Sequence, residues 1–249
     1  WERHEIKKII DSDDFNIIEK YYGLDEEANF ENKWHLTVSN DTENIAKNSK
    51  YENEKLENIV KKCNKTLLKE RNIRTPPSLD KKQLASWNAL VIKGLAVSGR
   101  VLEREDYIQS ARESLEFIEM NYFDKNILMA CYINKISKFP AYLDDHAFLL
   151  DAILEFLQSE WDTKLLHFAI KLADILIDDF LDEEKGGFFF TRNNHEKLIF
   201  RSKPMSDDAM PSGNGIACFA LQRLGFLVGD EKYLHASKKT LESGFNLLK

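Results

Sequence analysis

The fold is decided by a repeated unit whose middle copy reads DDHAFLLDAILEFLQSEWDTKLLHFAIKLADIL and spans residues 144–176. In this unit a polar cluster precedes an apolar helix, and a short acidic turn follows that helix. A second, charged helix comes next and has a small residue about one turn after its start. Other copies read SWNALVIKGLAVSGRVLEREDYIQSARESLEFI at residues 86–118 and SGNGIACFALQRLGFLVGDEKYLHASKKTLESGF at residues 212–245. Because one helical hairpin cannot bury its own apolar face, this repeat predicts hairpins stacked side by side.

The first helix of each unit is the more apolar one. Residues 88–98 carry a single charge, Lys93, and residues 214–228 carry a single charge, Arg223, whereas the second helices are highly charged. A helix that is apolar on most sides lies inside, so we predict inner first helices and outer second helices, as in a double-layered helical toroid. The three polar clusters should then meet at one end. A constant spacing of 19 residues supports the alignment: Asn88 to Tyr107, His146 to Leu165 and Asn214 to Tyr233.

The chain before the repeats has a different pattern. Residues 1–30 predict short helices that stop at Gly23, and residues 29–38 predict one strand or an extended loop. An apolar stripe from Leu56 to Leu67 predicts an amphipathic helix, which the prolines of RTPPS (residues 74–78) must end. We therefore divide the chain into an N-terminal helical and extended segment, 1–74, that packs on the toroid, and three αα-hairpins, 75–249.

Two segments between the hairpins predict small β-inserts. The first is ILMACYINKI at residues 127–136. The second consists of two apolar runs within residues 187–201 around Asn193-Asn194, which predicts a β-hairpin. The predicted fold class is thus all-α, a helical-hairpin toroid or partial toroid with small β-hairpin inserts.

Bulk composition excludes several classes of function. The net charge of −7 argues against a nucleic-acid partner, and no apolar run approaches the ~20 residues that span a bilayer. Cys63, Cys131 and Cys218 form no CxxC pair, so we expect buried, reduced thiols in a cytoplasmic protein. The histidines have no metal-ligand spacing, and the sequence predicts neither a metal site nor a cofactor. The chain begins at Trp1 rather than Met, and we expect its natural N-terminus to be missing.

The polar clusters supply the candidate site. Two adjacent carboxyls cannot both ionise freely if they are buried, so Asp144 or Asp145 could serve as an acid/base, with His146 as a proton relay or orienting group. Such groups serve both glycosyl hydrolysis and epimerisation next to a carbonyl. The predicted catalytic residues are therefore Asp144, Asp145 and His146. The predicted substrate-binding residues are Asp80, Trp87, Asn88, Tyr142, Asp208, Ser212 and Asn214, with Asn88 and Asn214 as hydroxyl-binding groups.

Structural roles compete with each of these assignments. Capping is the competing role for Asp80, Ser86 and Ser212, because each precedes a helix. One of Asp144 and Asp145 could also be a cap. His146 could be a core histidine and Trp87 a packing residue. The aromatic run Phe188–Phe190 could form a platform for a sugar ring or only pack within its hairpin.

Four ordered motifs carry a family resemblance: LDKKQLASWNALVI at residues 79–92, PAYLDDHAFLLDAI at 140–153, EEKGGFFFT at 183–191 and SDDAMPSGN at 206–214. With the segment around Tyr21-Tyr22-Gly23, they resemble the spermatogenesis-associated protein 20 (YyaL) family of thioredoxin-domain-containing proteins. The resemblance implies a thioredoxin-like domain followed by an (α/α)6 toroid similar to those of N-acylglucosamine 2-epimerases and six-hairpin glycosidases. This chain matches the second half of that toroid and contains no CxxC. It is thus expected to be a fragment, a split-gene product or a degraded copy.

The chain departs from the family pattern at two positions. Lys81 stands where the family usually has a second acid, and Ser78 stands where it often has a histidine. Two hypotheses of function remain. The first is a carbohydrate-active domain, either a sugar isomerase or epimerase or a glycoside hydrolase, acting on a sugar-like small molecule. The second is a non-catalytic module that packs against a missing toroid half or a thioredoxin-like partner.

Overall fold

The computed structural model of the protein describes residues 1–125, 127–196 and 198–245. The chain divides into two compact units, Trp1–Leu79 and Asp80–Lys249. Within the described ranges, no helix combines the length and apolar character needed to cross a membrane.

The first unit is a small helical array. Its helices are α1 (Arg3–Ile9), α2 (Ser12–Tyr22), α3 (Thr42–Lys47) and α4 (Asn53–Ile73). Helix α2 ends at Gly23, which adopts the left-handed conformation with φ 63°, as its position predicts. The apolar stripe of α4 is buried against the rest of this unit. Residues 29–38 form a loop rather than a strand, with one isolated bridge between Phe30 and Lys33.

The second unit contains the three predicted hairpins. They are α5 (Ala85–Val101) with α6 (Glu105–Asn121), α7 (Leu143–Phe156) with α8 (Thr163–Ile175), and α9 (Gly213–Val228) with α10 (Glu231–Phe245). Helix α8 continues into a π-helical turn, Leu176–Phe180. The three first helices pack side by side, and each second helix covers its own partner. The small residues Ala111, Ala169 and Ala236 are buried in the second helices. The inner and outer assignment is therefore confirmed.

The inner helices α5, α7 and α9 run parallel to one another. The backbone N–H of Ser86, at the start of α5, meets the carboxyl of Asp145 at the start of α7, and Arg100 near the end of α5 meets Glu155 near the end of α7. Arg223 of α9 reaches the same stretch of α7 through Asp151. Since like ends are paired, all three N-termini lie at one end of the row, as the repeat predicts.

A small antiparallel sheet connects the first two hairpins. Strand β1 (Gln83–Leu84), strand β2 (Phe123–Asp124) and strand β4 (Ile136–Pro140) all pair with the central strand β3 (Ile127–Ile133). The register aligns Gln83 with Tyr132 and Met129 with Pro140. The first predicted β-insert is confirmed, and it delivers the chain directly to the start of α7.

The second predicted insert is wrong. The described part of residues 187–201 forms no β-hairpin, although Lys197 lies outside the described residues. Most of the backbone groups that a ladder would use have other partners, although the N–H of Phe190 donates to the carbonyl of Ser202. The N–H of Phe188 donates to the amide of Asn214, the N–H of Phe189 donates to Phe180, and the carbonyl of Phe190 accepts from Leu143. Contacts with the helices therefore override the local β pattern.

Candidate functional site

The centre of the site is the N-terminus of α7, where Asp145 is a structural carboxyl. Its Oδ2 accepts a hydrogen bond from the N–H of Tyr142 at 2.9 Å, and its Oδ1 accepts one from the N–H of Ser86 at 2.9 Å. Asp145 therefore caps its own helix and also the start of α5, where Leu84 offers no capping side chain. Burial raises the pKa of Asp145, while the N–H donors of Tyr142 and Ser86 oppose that rise.

Asp144 is the carboxyl that remains free. It is half-buried and has no hydrogen-bond partner within the described ranges, and its Oδ1 is fully shielded from solvent. That oxygen lies against Gly213, the first residue of α9, where any side-chain carbon would overlap it. Burial, followed by the neighbouring Asp145, raises the pKa of Asp144 from its ordinary 3.8 to about 6. Near neutral pH the group can therefore exchange a proton.

His146 follows the two aspartates in the first turn of α7 and is fully buried. Its Nδ1 lies 2.9 Å from the carbonyl oxygen of Tyr142, and its ring packs against Phe180 at 5.1 Å between centroids. The carbonyl can only accept, so Nδ1 carries the proton and Nε2 is left without a partner among the described residues. Burial lowers the pKa of His146 to about 4. The imidazole is neutral at pH 7 and orients the first turn of α7, and it has no exposed atom to offer a ligand.

An aromatic surface adjoins the aspartates. The ring of Tyr142 stacks on that of Phe190 with 4.9 Å between centroids and 10° between planes, and the imidazole of His195 lies 6.4 Å from Tyr142. All three side chains are half-buried. Phe188, in contrast, is fully buried and belongs to the core. Of the aromatic run at 188–190, Phe190 is the ring that stacks on Tyr142, whereas the ring of Phe189 lies against Arg201 and Lys203.

The polar residues before α9 have structural roles. Asn214 is buried, and its amide group accepts from the N–H of Phe188 and donates to the carbonyls of Phe188 and Pro204. Ser212 caps α9 through its hydroxyl, and its own N–H donates to Asp207. Both residues hold the loop before α9 in place, and the polar atoms of the Asn214 side chain are already bonded.

The remaining predicted binding residues are not gathered at the aspartates. Asp80 is exposed and forms an ion pair with Lys82, so it caps no helix. Asp208 is also exposed, and its side chain has no partner among the described residues. Asn88 donates to the carbonyl of Leu84 one turn earlier. Trp87 is 59% exposed, so the packing alternative for it is wrong within this chain. Ser86 contributes its backbone N–H to Asp145 and is not the cap of α5.

Tyr142, Asp144, Asp145 and His146 lie together at the start of α7, and their assignment to a site stays a prediction. Sequence reasoning missed one participant, Gly213, and named Phe190 only as part of the aromatic run at 188–190. The signal for Gly213 was available, because the SGNG run places a glycine at a helix start where the neighbouring unit has an acid. Within the described ranges, no group of three His, Cys, Asp or Glu side chains is placed to hold a metal ion.

Comparison with known proteins finds a similar protein that matches most of this chain. No family model matches the sequence. Spermatogenesis-associated protein 20 of Rattus norvegicus is 28% identical over 239 residues, which cover 88% of this chain and 30% of that protein. The resemblance to spermatogenesis-associated protein 20 is confirmed. The chain spans less than a third of the length of the spermatogenesis-associated protein 20 sequence that it resembles.

Solved structures show the fold. The cellobiose 2-epimerase of Bacillus thermoamylovorans superposes with a TM-score of 0.57 at 18% identity, and a D-mannose isomerase with 0.59 at 13% identity; each match covers 68% of this chain and 46% of the other. An α-1,6-mannanase variant of Salegentibacter sp., bound to α-1,6-mannotetrose, superposes with 0.52 at 16% identity over 76% of this chain and 54% of its own. The architecture is that of the (α/α)6 toroids of sugar epimerases and six-hairpin glycosidases.

Proposed function

We propose that the second unit binds a sugar or a sugar-like polyol at the common N-terminal end of α5, α7 and α9, and that Asp144 is its acid/base. The observation that carries this proposal is the state of Asp144: a half-buried carboxyl with a raised pKa and no hydrogen-bond partner in the described ranges. A protein seldom leaves such a group unpaired without a functional reason. The stacked rings of Tyr142 and Phe190 would face the apolar side of a sugar.

Asp145 and His146 act as positioning residues in this proposal. Asp145 fixes the backbone of the first turn of α7 through two N–H bonds, and neutral His146 fixes the same turn through Tyr142. The mannanase variant mentioned above is inactive and has two consecutive aspartates replaced by alanine, which supports a role for an aspartate pair in this fold. In this chain the two aspartates would have different roles: Asp144 would exchange protons, and Asp145 would hold the first turn of α7, and with it Asp144, in place.

The binding part of the proposal can be tested with a thermal melt of the purified chain in the presence of aldoses, ketoses, N-acyl sugars and mannose oligosaccharides. A rise in Tm with one sugar class is expected for the wild type and should be absent in Asp144→Asn. Asp25→Asn is the matched control, because it removes the same charge at an exposed position in the other unit. A sugar response that is equal in all three proteins would refute the proposed site.

The reaction class can be separated by proton NMR in D₂O. An isomerase or epimerase acting next to a carbonyl exchanges the hydrogen at that carbon with solvent, whereas a glycoside hydrolase leaves it in place and releases a new reducing end. Asp145 already accepts an N–H bond on each of its oxygens, so the described residues offer Asp144 as the free carboxyl of the aspartate pair. This favours chemistry next to a carbonyl, since most glycoside hydrolases use two available carboxyls.

The alternative is a non-catalytic module that packs against further hairpins or a thioredoxin-like domain. Exposed apolar side chains on α5 and α9 favour this alternative as far as packing is concerned. It offers no reason for the unpaired carboxyl of Asp144, and for that reason we rank it second. The three buried, unpaired thiols are compatible with the cytoplasmic location that we propose for either function.

A further inference from the structure

A cavity of about 490 Å³ lies where α7 and α9 approach their C-terminal ends, beside the turn that follows α7. Leu154 and Leu157 are buried members of its lining, whereas Trp161 and Phe226 are 57% and 72% exposed. Cavities that bind small molecules have this size, and their walls are mostly apolar with a few polar groups that orient the ligand. Asp144 lies at the opposite end of α7, so this cavity is separate from the candidate site.

Arg223 brings a charge to the lining of this cavity. Its Nη1 lies 3.0 Å from Oδ1 of Asp151 and 2.9 Å from Oε1 of Glu155, and its guanidinium lies 5.1 Å from the centroid of the Phe219 ring. Within the described ranges, no hydrogen bond or ion pair uses Nε or Nη2 of Arg223. These two nitrogens form one edge of the guanidinium plane, and such an edge can bind a carboxylate through two parallel hydrogen bonds.

The carboxylates beside Arg223 are also bound to other cations. Asp151 is buried and binds Lys93 at 2.7 Å, and Glu155 binds Arg100 at 3.1 Å. This group therefore contains three cations and two carboxylates, and it has one positive charge in excess. A positive charge beside a mostly apolar cavity is suited to an anion that has an apolar body.

We propose that this cavity binds a small aromatic carboxylate. The carboxylate group accepts two hydrogen bonds from the Nε–Nη2 edge of Arg223, and the aromatic ring of the ligand packs against Trp161 and Phe226. Charge-assisted bidentate hydrogen bonds supply the specificity for the acid, and contacts between aromatic rings supply the specificity for its body. The Nη1 contacts and the Phe219 ring hold the guanidinium in one orientation before the ligand arrives, which lowers the entropic cost of binding.

A titration of the full chain, followed by two-dimensional ¹H–¹⁵N NMR, tests this site with phenylacetate and its neutral amide, phenylacetamide. Phenylacetate should bind at least about tenfold more tightly, because the amide has no charge and only one oxygen to accept the two hydrogen bonds. The indole N–H signal of Trp161, assigned by its absence in Trp161→Phe, should move with phenylacetate. Inorganic phosphate has no apolar body and should not displace phenylacetate at equal concentration.

Two substitutions at one exposed position separate charge from apolar contact. Phe226→Glu and Phe226→Lys remove the same ring, but Phe226→Lys should bind phenylacetate at least about tenfold more tightly than Phe226→Glu, because the glutamate repels the ligand. Arg223→Lys keeps the positive charge but lacks the planar edge, and it should bind at least about tenfold more weakly than the wild type. Met120→Glu, at a 75% exposed position on α6, should bind like the wild type. Circular dichroism of each variant shows whether it is folded.

Four results would overturn the proposal. Equal affinities for phenylacetate and phenylacetamide, or equal affinities of the two Phe226 variants for phenylacetate, would mean that the charge of Arg223 does not select the ligand. Displacement of phenylacetate by an equal concentration of phosphate would mean that the aromatic body is not recognised. An indole signal of Trp161 that stays in place at millimolar phenylacetate would mean that the cavity is not the binding site.

Discussion

Replacing Asp144 by asparagine should stabilise the protein at alkaline pH. The fold raises the pKa of this carboxyl from 3.8 to about 6, so the fold favours the neutral form. The stability that the neutral carboxyl contributes is complete below pH 4 and is lost as the pH rises through 6. A shift of about 2 pKa units is worth at most about 3 kcal/mol, and partial exposure reduces this to about 1–2 kcal/mol.

Asparagine has nearly the same shape and carries no charge at any pH. Asp144→Asn should therefore match the wild type near pH 4 and exceed its Tm at pH 8 by about 2–8 °C, measured by differential scanning calorimetry. The neighbouring Asp145→Asn should have the opposite effect, a loss of about 1–3 kcal/mol at pH 8, because its amide would point a donor at a backbone N–H. A lower Tm for Asp144→Asn at pH 8, or a difference from wild type that is the same at both pH values, would refute the reasoning.

Substitutions at four further positions test the surroundings of the site by urea unfolding. Gly213→Ala should cost about 1–3 kcal/mol through overlap with Asp144, and the double variant with Asp144→Ala should recover most of that loss. Asn214→Ala removes two buried hydrogen bonds and one partly buried one and should cost about 2–4 kcal/mol, whereas Asn88→Ala, with one local bond, should cost less than about 1 kcal/mol; equal losses would contradict the assigned roles. Asp151→Ala leaves two cations without their shared carboxylate and should cost about 1–3 kcal/mol, a loss that added salt should not abolish because the carboxylate is buried.

The repeat made most of the second unit predictable. The 19-residue spacing aligns three hairpins, and the low charge of their first helices identifies the inner layer, because burial on several sides leaves no place for charges. That alignment also predicts that the three polar clusters meet at one end, where the structure places Asp145 against Ser86. The sequence does not reveal that Asp145 caps a second helix, since capping rules consider only the residues before a helix, and this cap comes from a neighbouring hairpin.

The prediction of a β-hairpin within residues 187–201 is wrong for a related reason, namely a contact with a distant part of the chain. Two apolar runs around Asn193-Asn194 satisfy the local rules for a hairpin, but the side chain of Asn214, 26 residues after Phe188, takes both backbone groups of that residue. Long-range competition for backbone hydrogen bonds cannot be deduced from local pattern. The same limit applies to Trp87, because the sequence shows an apolar side chain on an inner helix but not that this side chain is 59% exposed.

The most direct test of the account is ¹³C NMR of the aspartate carboxyl carbons, with Asp144 assigned by its absence in Asp144→Asn. The account predicts a resonance that titrates near pH 6 and that moves when the sugar that raises the Tm is added, while the resonance of Asp145 stays unchanged by the sugar. An Asp144 carboxyl that titrates near pH 4, or that does not respond to any sugar that binds the protein, would contradict the claim that this carboxyl is the working group of the site.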